Sequence, residues 1–211
     1  MKQAINPLAQ KLITKLATTI LGMLMVLVGS TAIAQSSNLN LNNIRFANIL
    51  DEHDVAMGAM LTIIQDAQGF IWFGGIGGLA RYDGHDLHIV GDTDNANESI
   101  KSVHDIVEDG DIIWLATSYG LIKFDRRTEQ YVRYTADAQS EIKISQNYIN
   151  KVAILPNGKI MLATYGGFDV IDPKTKQVQT LFPDAANANS HFVFALKVDD
   201  TKSRILLEAV S

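Results

Sequence analysis

One pattern constrains this chain more than any other: a short aromatic strand, a glycine loop and a second strand ending in aspartate, written three times. The first copy runs Gly69-Phe70-Ile71-Trp72-Phe73-Gly74-Gly75-Ile76-Gly77-Gly78-Leu79-Ala80-Arg81-Tyr82-Asp83. The second centres on Ile112-Ile113-Trp114-Leu115-Ala116 and Gly120-Leu121-Ile122-Lys123-Phe124-Asp125, the third on Ile160-Met161-Leu162-Ala163 and Gly167-Phe168-Asp169-Val170-Ile171-Asp172. With Trp72, Trp114 and Met161 as anchors, the copies are 42 and 47 residues apart. A glycine follows each anchor by six residues (Gly78, Gly120, Gly167) and an aspartate by eleven (Asp83, Asp125, Asp172). Aromatic and β-branched runs between glycine-rich and Asp/Asn-rich turns read as strands of successive hairpins.

A period of about 40–50 residues holding several short strands is the signature of a propeller blade. The expected fold is all-β: a partial β-propeller of about three and a half four-stranded antiparallel blades. They cover about 59–90, 103–134 and 149–181, with a partial blade at 192–208. Apolar residues in runs such as Ile112–Ala116 are contiguous. A sheet with one wet face alternates, so contiguity implies sheets covered on both sides, as blades are by their neighbours. The strand course puts the loops 75–78, 117–120 and 164–167 on the face that carries the connections between blades. That face surrounds the channel entrance and is the place for a concave ligand site.

Phe70-Ile71-Trp72-Phe73-Gly74-Gly75 with Gly78-Leu79-Ala80-Arg81-Tyr82-Asp83-Gly84 resembles the two-component regulator propeller repeat. The resemblance covers about residues 44–208. The first copy departs with Gly75 where threonine is usual, the third with Met161 for tryptophan, and the fourth lacks the threonine and glycine loop. The resemblance implies the N-terminal part of a periplasmic sensor domain. In full-length members a membrane helix couples it to a histidine kinase or a GGDEF-type diguanylate cyclase. The expected ligand is a small molecule or a glycan. Because the pattern stops inside a repeat, a truncated N-terminal fragment is expected, with its remaining blades or another chain at the open edge. Two other readings belong to the same resemblance: an interaction or oligomerisation scaffold, and an enzyme similar to streptogramin lyase, which uses a metal and a histidine on the channel face.

Residues 1–34 read as a signal peptide whose helix precedes the fold. Lys2, Lys11 and Lys15 form its positive start and Leu16–Val28 its apolar segment. Ala32-Ile33-Ala34 gives a small-residue cleavage site, cut between Ala34 and Gln35; the alternative reading is an uncleaved helix that anchors an exported chain in the inner membrane. Residues 35–43 are a polar disordered lead, and Ile44-Arg45-Phe46 opens a strand that completes a last blade and covers its edge. No later apolar run is long enough to span a bilayer. The chain has no cysteine and a net charge of −5, so it offers no thiolate metal site and no basic surface for nucleic acid.

The chemistry-bearing residues read mostly as structure. Gly74–Gly78 lacks the lysine and the helix of a phosphate loop. His85 and His88, three apart, face opposite sides of a strand, with no carboxylate at supporting spacing. Asp92–Glu98 has alanine and asparagine where a calcium loop needs an oxygen ligand and glycine. Asp83, Asp125 and Asp172 recur in every copy and so belong to turns, not to one active site. No catalytic residue, metal or cofactor is assigned. His104, Ser118, Tyr119 and Tyr165 are the candidates for a ligand at the channel mouth.

Overall fold

The computed structural model describes residues 57–91, 99–182, 193–199 and 204–209. The expected signal peptide, the Ala34–Gln35 cleavage site, the 44–46 strand, the Asp92–Glu98 connection, His53 and His191 lie outside them. Among the described residues no helix is long and apolar enough to cross a membrane.

The described chain is all-β. The first blade is β1 (Met60–Gln65), β2 (Ile71–Gly75), β3 (Gly78–Tyr82) and β4 (Leu87–Val90). The second is β5 (Val103–Asp109), β6 (Ile112–Thr117), β7 (Gly120–Asp125) and β8 (Gln130–Tyr134). The third is β9 (Ile149–Ile154), β10 (Ile160–Thr164), β11 (Gly167–Asp172) and β12 (Gln177–Leu181), and β13 (Val193–Asp199) pairs with β14 (Arg204–Ala209) as part of a fourth. Each full blade is an antiparallel meander in chain order. The first strands β1, β5, β9 and β13 lie side by side, so the sheets radiate from a common axis.

The repeated residues now have physical reasons. Gly78, Gly120 and Gly167 all have positive φ, and a Cβ there would meet the carbonyl oxygen of Ile100, Tyr134 or Leu181 at 2.5, 2.3 or 2.4 Å. Only glycine fits a left-handed residue so close to backbone. Gly75 departs from threonine for a similar reason, since a Cβ would lie 2.5 Å from the Ala59 carbonyl oxygen. In the other two blades Thr117 and Thr164 fill the position. Each hydroxyl donates to the carbonyl of that loop glycine, at 2.7 Å (Gly120) and 2.9 Å (Gly167). The three aspartates cap turns in the same way. One Asp83 carboxylate oxygen accepts from the amides of His85 and Asp86, at 2.8 and 2.7 Å. Asp125 accepts from Arg127 and Thr128, and Asp172 from Lys174 and Thr175.

Two apolar layers hold the blades together. Trp72, Leu79 and Val90 of the first blade pack against Ile106, Ile113, Leu115 and Phe124 of the second. Trp114, Leu121 and Tyr134 of the second pack against Val152, Ile160, Leu162 and Ile171 of the third. The Trp72 and Phe124 rings meet edge to face at 5.8 Å, a favoured aromatic geometry. The β6 and β10 strands are buried on both faces, which is why their apolar residues do not alternate.

Candidate functional site

Every inner strand carries a β-bulge near its start. The ladder skips Leu61 in β1, His104 in β5, Asn150 in β9 and Phe194 in β13. A bulge re-aims the extra side chain. Here it turns the polar ones toward the next blade. The Asn150 amide donates to the Val193 carbonyl at 2.8 Å, and His104 Nδ1 lies 2.7 Å from the Ile149 carbonyl oxygen. Val193 and Ile149 hold the same place in their blades, the first residue of the inner strand.

A carbonyl only accepts, so His104 Nδ1 carries the proton in that bond. In the neutral ring Nε2 is then free to accept, and Ser118 Oγ lies 3.1 Å away as the donor. The His104 ring stands 4.7 Å from the Tyr148 ring, and Tyr148 stands 4.2 Å from Tyr165. Burial pushes the Tyr148 hydroxyl above its ordinary pKa, and its hydrogen bond with Tyr165 pushes it further the same way. The result is a continuous line, Ser118–His104–Tyr148–Tyr165, crossing the boundary between the second and third blades.

The backbone places this line on the face of the hairpin loops. Ser102 N donates to Ile76 O, Ser118 N to Ser102 O and Gly120 N to Asn147 O, tying the first two hairpin tips to connections between blades. Three of the four candidate residues, His104, Ser118 and Tyr165, are brought together. Tyr119 is not in the line: it sits at the same hairpin tip, 58% exposed, with its carbonyl accepting from Arg133 at 3.4 Å. Tyr165 is 47% exposed and Ile76 also projects from its tip. Tyr148 was missed by sequence reasoning. Its signal was available, because it directly precedes the inner strand β9 as Ser102 precedes β5. Chemically the line offers ring faces for stacking, one half-exposed hydroxyl pair and a histidine of fixed tautomer.

The opposite face is polar. There the His85–His88 reading needs correction: His85 lies in the turn before β4, and His88 has Asp83 and Asp86 beside it, their ligand atoms within 4.8 Å of one another. Spacing along the strand hid this because the turn folds back. All three are exposed, and an Asp83 oxygen is already engaged by the turn amides.

No protein-family model matches the chain, and no curated protein matches it. Solved structures do. The extracellular domain assigned to a hybrid two-component system of B. thetaiotaomicron superposes with a TM-score of 0.64 at 19% identity, over 79% of this chain and 24% of that one. The fold is that of a β-propeller. A second B. thetaiotaomicron extracellular domain, assigned to a one-component system, gives a TM-score of 0.61 at 18% identity over 76% of this chain and 21% of that one. A streptogramin B lyase gives 0.54 at 11% identity, over 71% and 48%. The chain thus spans about a quarter of the length of the extracellular domains it resembles. These likenesses carry the propeller fold and leave the chemistry to the residues described above.

Proposed function

We propose that this chain is an extracytoplasmic ligand-sensing propeller module of a bacterial signal-transduction protein. It would bind a small molecule or a glycan on the face that carries His104, Ser118, Tyr119, Tyr148 and Tyr165. The observation that carries the reading is the aromatic line at the hairpin face: half-exposed rings backed by a hydrogen-bonded histidine suit recognition by stacking with a few oriented polar contacts. Likeness to two extracellular domains of B. thetaiotaomicron signalling systems supports an exported sensor, as does the signal-peptide pattern of residues 1–34. A lyase-like reading draws less support, because both nitrogens of His104, the histidine on this face among the described residues, are already in hydrogen bonds.

The test is a thermal-shift and calorimetric screen of the mature chain against mono- and oligosaccharides and small polar metabolites. Saturable binding that is lost in Tyr165→Ala and Tyr148→Ala, but kept in the turn variant Asp172→Asn, is the expected result. Binding that ignores both tyrosines would overturn the site.

A further inference from the structure

Two residues after each loop glycine the repeat has a buried position, filled by Ala80, Ile122 and Asp169. All three are fully buried. Asp169 shares a face of β11 with Ile171, which packs against the second blade. A carboxylate is costly to bury where its two counterparts are apolar, and such a break in a local rule marks a position kept for something other than packing. Asp169 Oδ1 accepts from the Thr180 hydroxyl across the β11–β12 ladder, and Oδ2 accepts from the backbone amide of Ser145, both at 2.7 Å. Ser145 lies on the connection from the second blade, four residues before β9 and three before Tyr148.

The second blade makes the same tie with opposite polarity. Ser99 lies four residues before β5, and its carbonyl accepts from Arg133 Nη2 at 2.9 Å. Arg133 pairs with Ile122 in the ladder as Thr180 pairs with Asp169. Arg133 Nη1 also donates to the Tyr119 carbonyl at the hairpin tip, at 3.4 Å. In both blades the two outer strands grip the incoming connection at the same place. In the third blade the grip seats the connection on the hairpin tip, where a Cβ on Gly166 would lie 2.7 Å from Gln146 Cγ. The rings of Tyr148, on the connection, and Tyr165, on the tip, stand 4.2 Å apart.

We propose that Asp169 is a positioning residue of the candidate site: by holding Ser145 it fixes the Tyr148 ring against Tyr165 and so sets the shape of the aromatic surface. It acts through the connection and not by touching a ligand. This rests on reading that surface as a ligand site, yet its test needs no ligand, so the two can fail separately.

The test is proton NMR of the mature chain. In the unmodified chain the Ser145 amide, outside any strand, should be protected from solvent exchange, and the Tyr148 and Tyr165 rings should show through-space contacts. Asp169→Leu puts an apolar side chain where the second blade has Ile122, so it should keep the β circular dichroism signal and cooperative unfolding. It should lose the ring contacts and at least about tenfold of the Ser145 protection, since the lost bond has a charged acceptor. Asp169→Asn retains an oxygen for the amide and should keep both signals. Ser145→Ala retains the amide and should change neither. Ring contacts that survive in Asp169→Leu, or a Ser145 amide that exchanges freely in the unmodified chain, would overturn the proposal. If Asp169→Leu does not fold, Asp169→Asn decides: a neutral acceptor in place of a charged one should move the Ser145 amide proton upfield, and an unmoved resonance would overturn the proposal.

Discussion

The Asp66 carboxylate meets the Arg126 guanidinium at 2.7 Å across the boundary between the first and second blades, with the Asp66 side chain fully buried and that of Arg126 nearly so. The same oxygen accepts from Trp72 Nε1 at 2.8 Å, and Arg126 reaches Glu108 at 3.0 Å. Asp66 thus joins its own anchor tryptophan to the next blade. Removing one partner of a buried pair strands the other, at a cost of roughly 3–5 kcal/mol. Arg126→Ala should lower unfolding stability in urea by about that much. Arg127→Ala, which breaks an exposed pair with Asp111 at 3.7 Å, should cost under about 1 kcal/mol.

The two tryptophans should answer differently to the same change. Trp72 Nε1 has Asp66, whereas Trp114 Nε1 is buried without a hydrogen-bond partner among the described residues. Trp72→Phe should be the costlier by about 1–2 kcal/mol, because it leaves a buried carboxylate short of a donor while Trp114→Phe removes an unmet one. Equilibrium denaturation of the two variants measures the difference.

Glycine substitutions separate strain from freedom. Gly120→Ala forces a Cβ toward the Tyr134 carbonyl in a left-handed conformation, whereas Gly110, also at positive φ, has nothing within 4 Å. Gly110→Ala should cost roughly 1 kcal/mol through φ alone. Gly120→Ala should cost clearly more and shift the amide resonances of the 117–120 loop.

Acid should loosen the polar face first. Hydrogen bonds from backbone amides hold Asp83, Asp125 and Asp172 below the ordinary carboxylate value of 3.8. A depressed carboxylate contributes stability that is present above the unfolded value and is lost as pH falls through the folded one. The urea midpoint should be level down to about pH 5 and fall below about pH 4. Changing all three aspartates to asparagine should make that acid limb shallower; what remains belongs to Asp66, whose carboxyl, despite its burial, is likewise held low by hydrogen bonds from Trp72 and Arg126.

At the bulge, His104→Asn should keep the fold. Asn150 already makes the equivalent bond to the next inner strand, so asparagine supplies the donor that Ile149 needs. His104→Ala should lose about 1 kcal/mol in thermal or urea unfolding, the net worth of one hydrogen bond. Both variants should release Ser118, so a ligand effect common to both would trace to the histidine ring and not to the staple.

Much of the fold was legible because the determinants are local and repeated. Gly78, Gly120 and Gly167 mark the same left-handed loop, and the three aspartates mark the same capped turn. The contiguous apolar runs announce sheets covered on both sides. What was not legible depends on register. A bulge shifts one residue out of the ladder without a sequence mark of its own, so the turn of His104 and Asn150 toward the next blade could not be read. Tyr148 stacks on residues from another hairpin, and Asp83 and Asp86 reach His88 only because the turn folds back. The Asp66–Arg126 pair, sixty residues apart, is likewise a product of blade packing.

The account as a whole requires that the second and third blades meet through His104. Imidazole nitrogen NMR on the mature chain reports that contact. Recorded at a pH where imidazoles are neutral, it should place the His104 proton on Nδ1, with Nε2 accepting a hydrogen bond, and show a loss of this signature in Ser118→Ala confined to Nε2. A ring protonated at Nε2, or one exchanging between tautomers as a free surface histidine does, would contradict it.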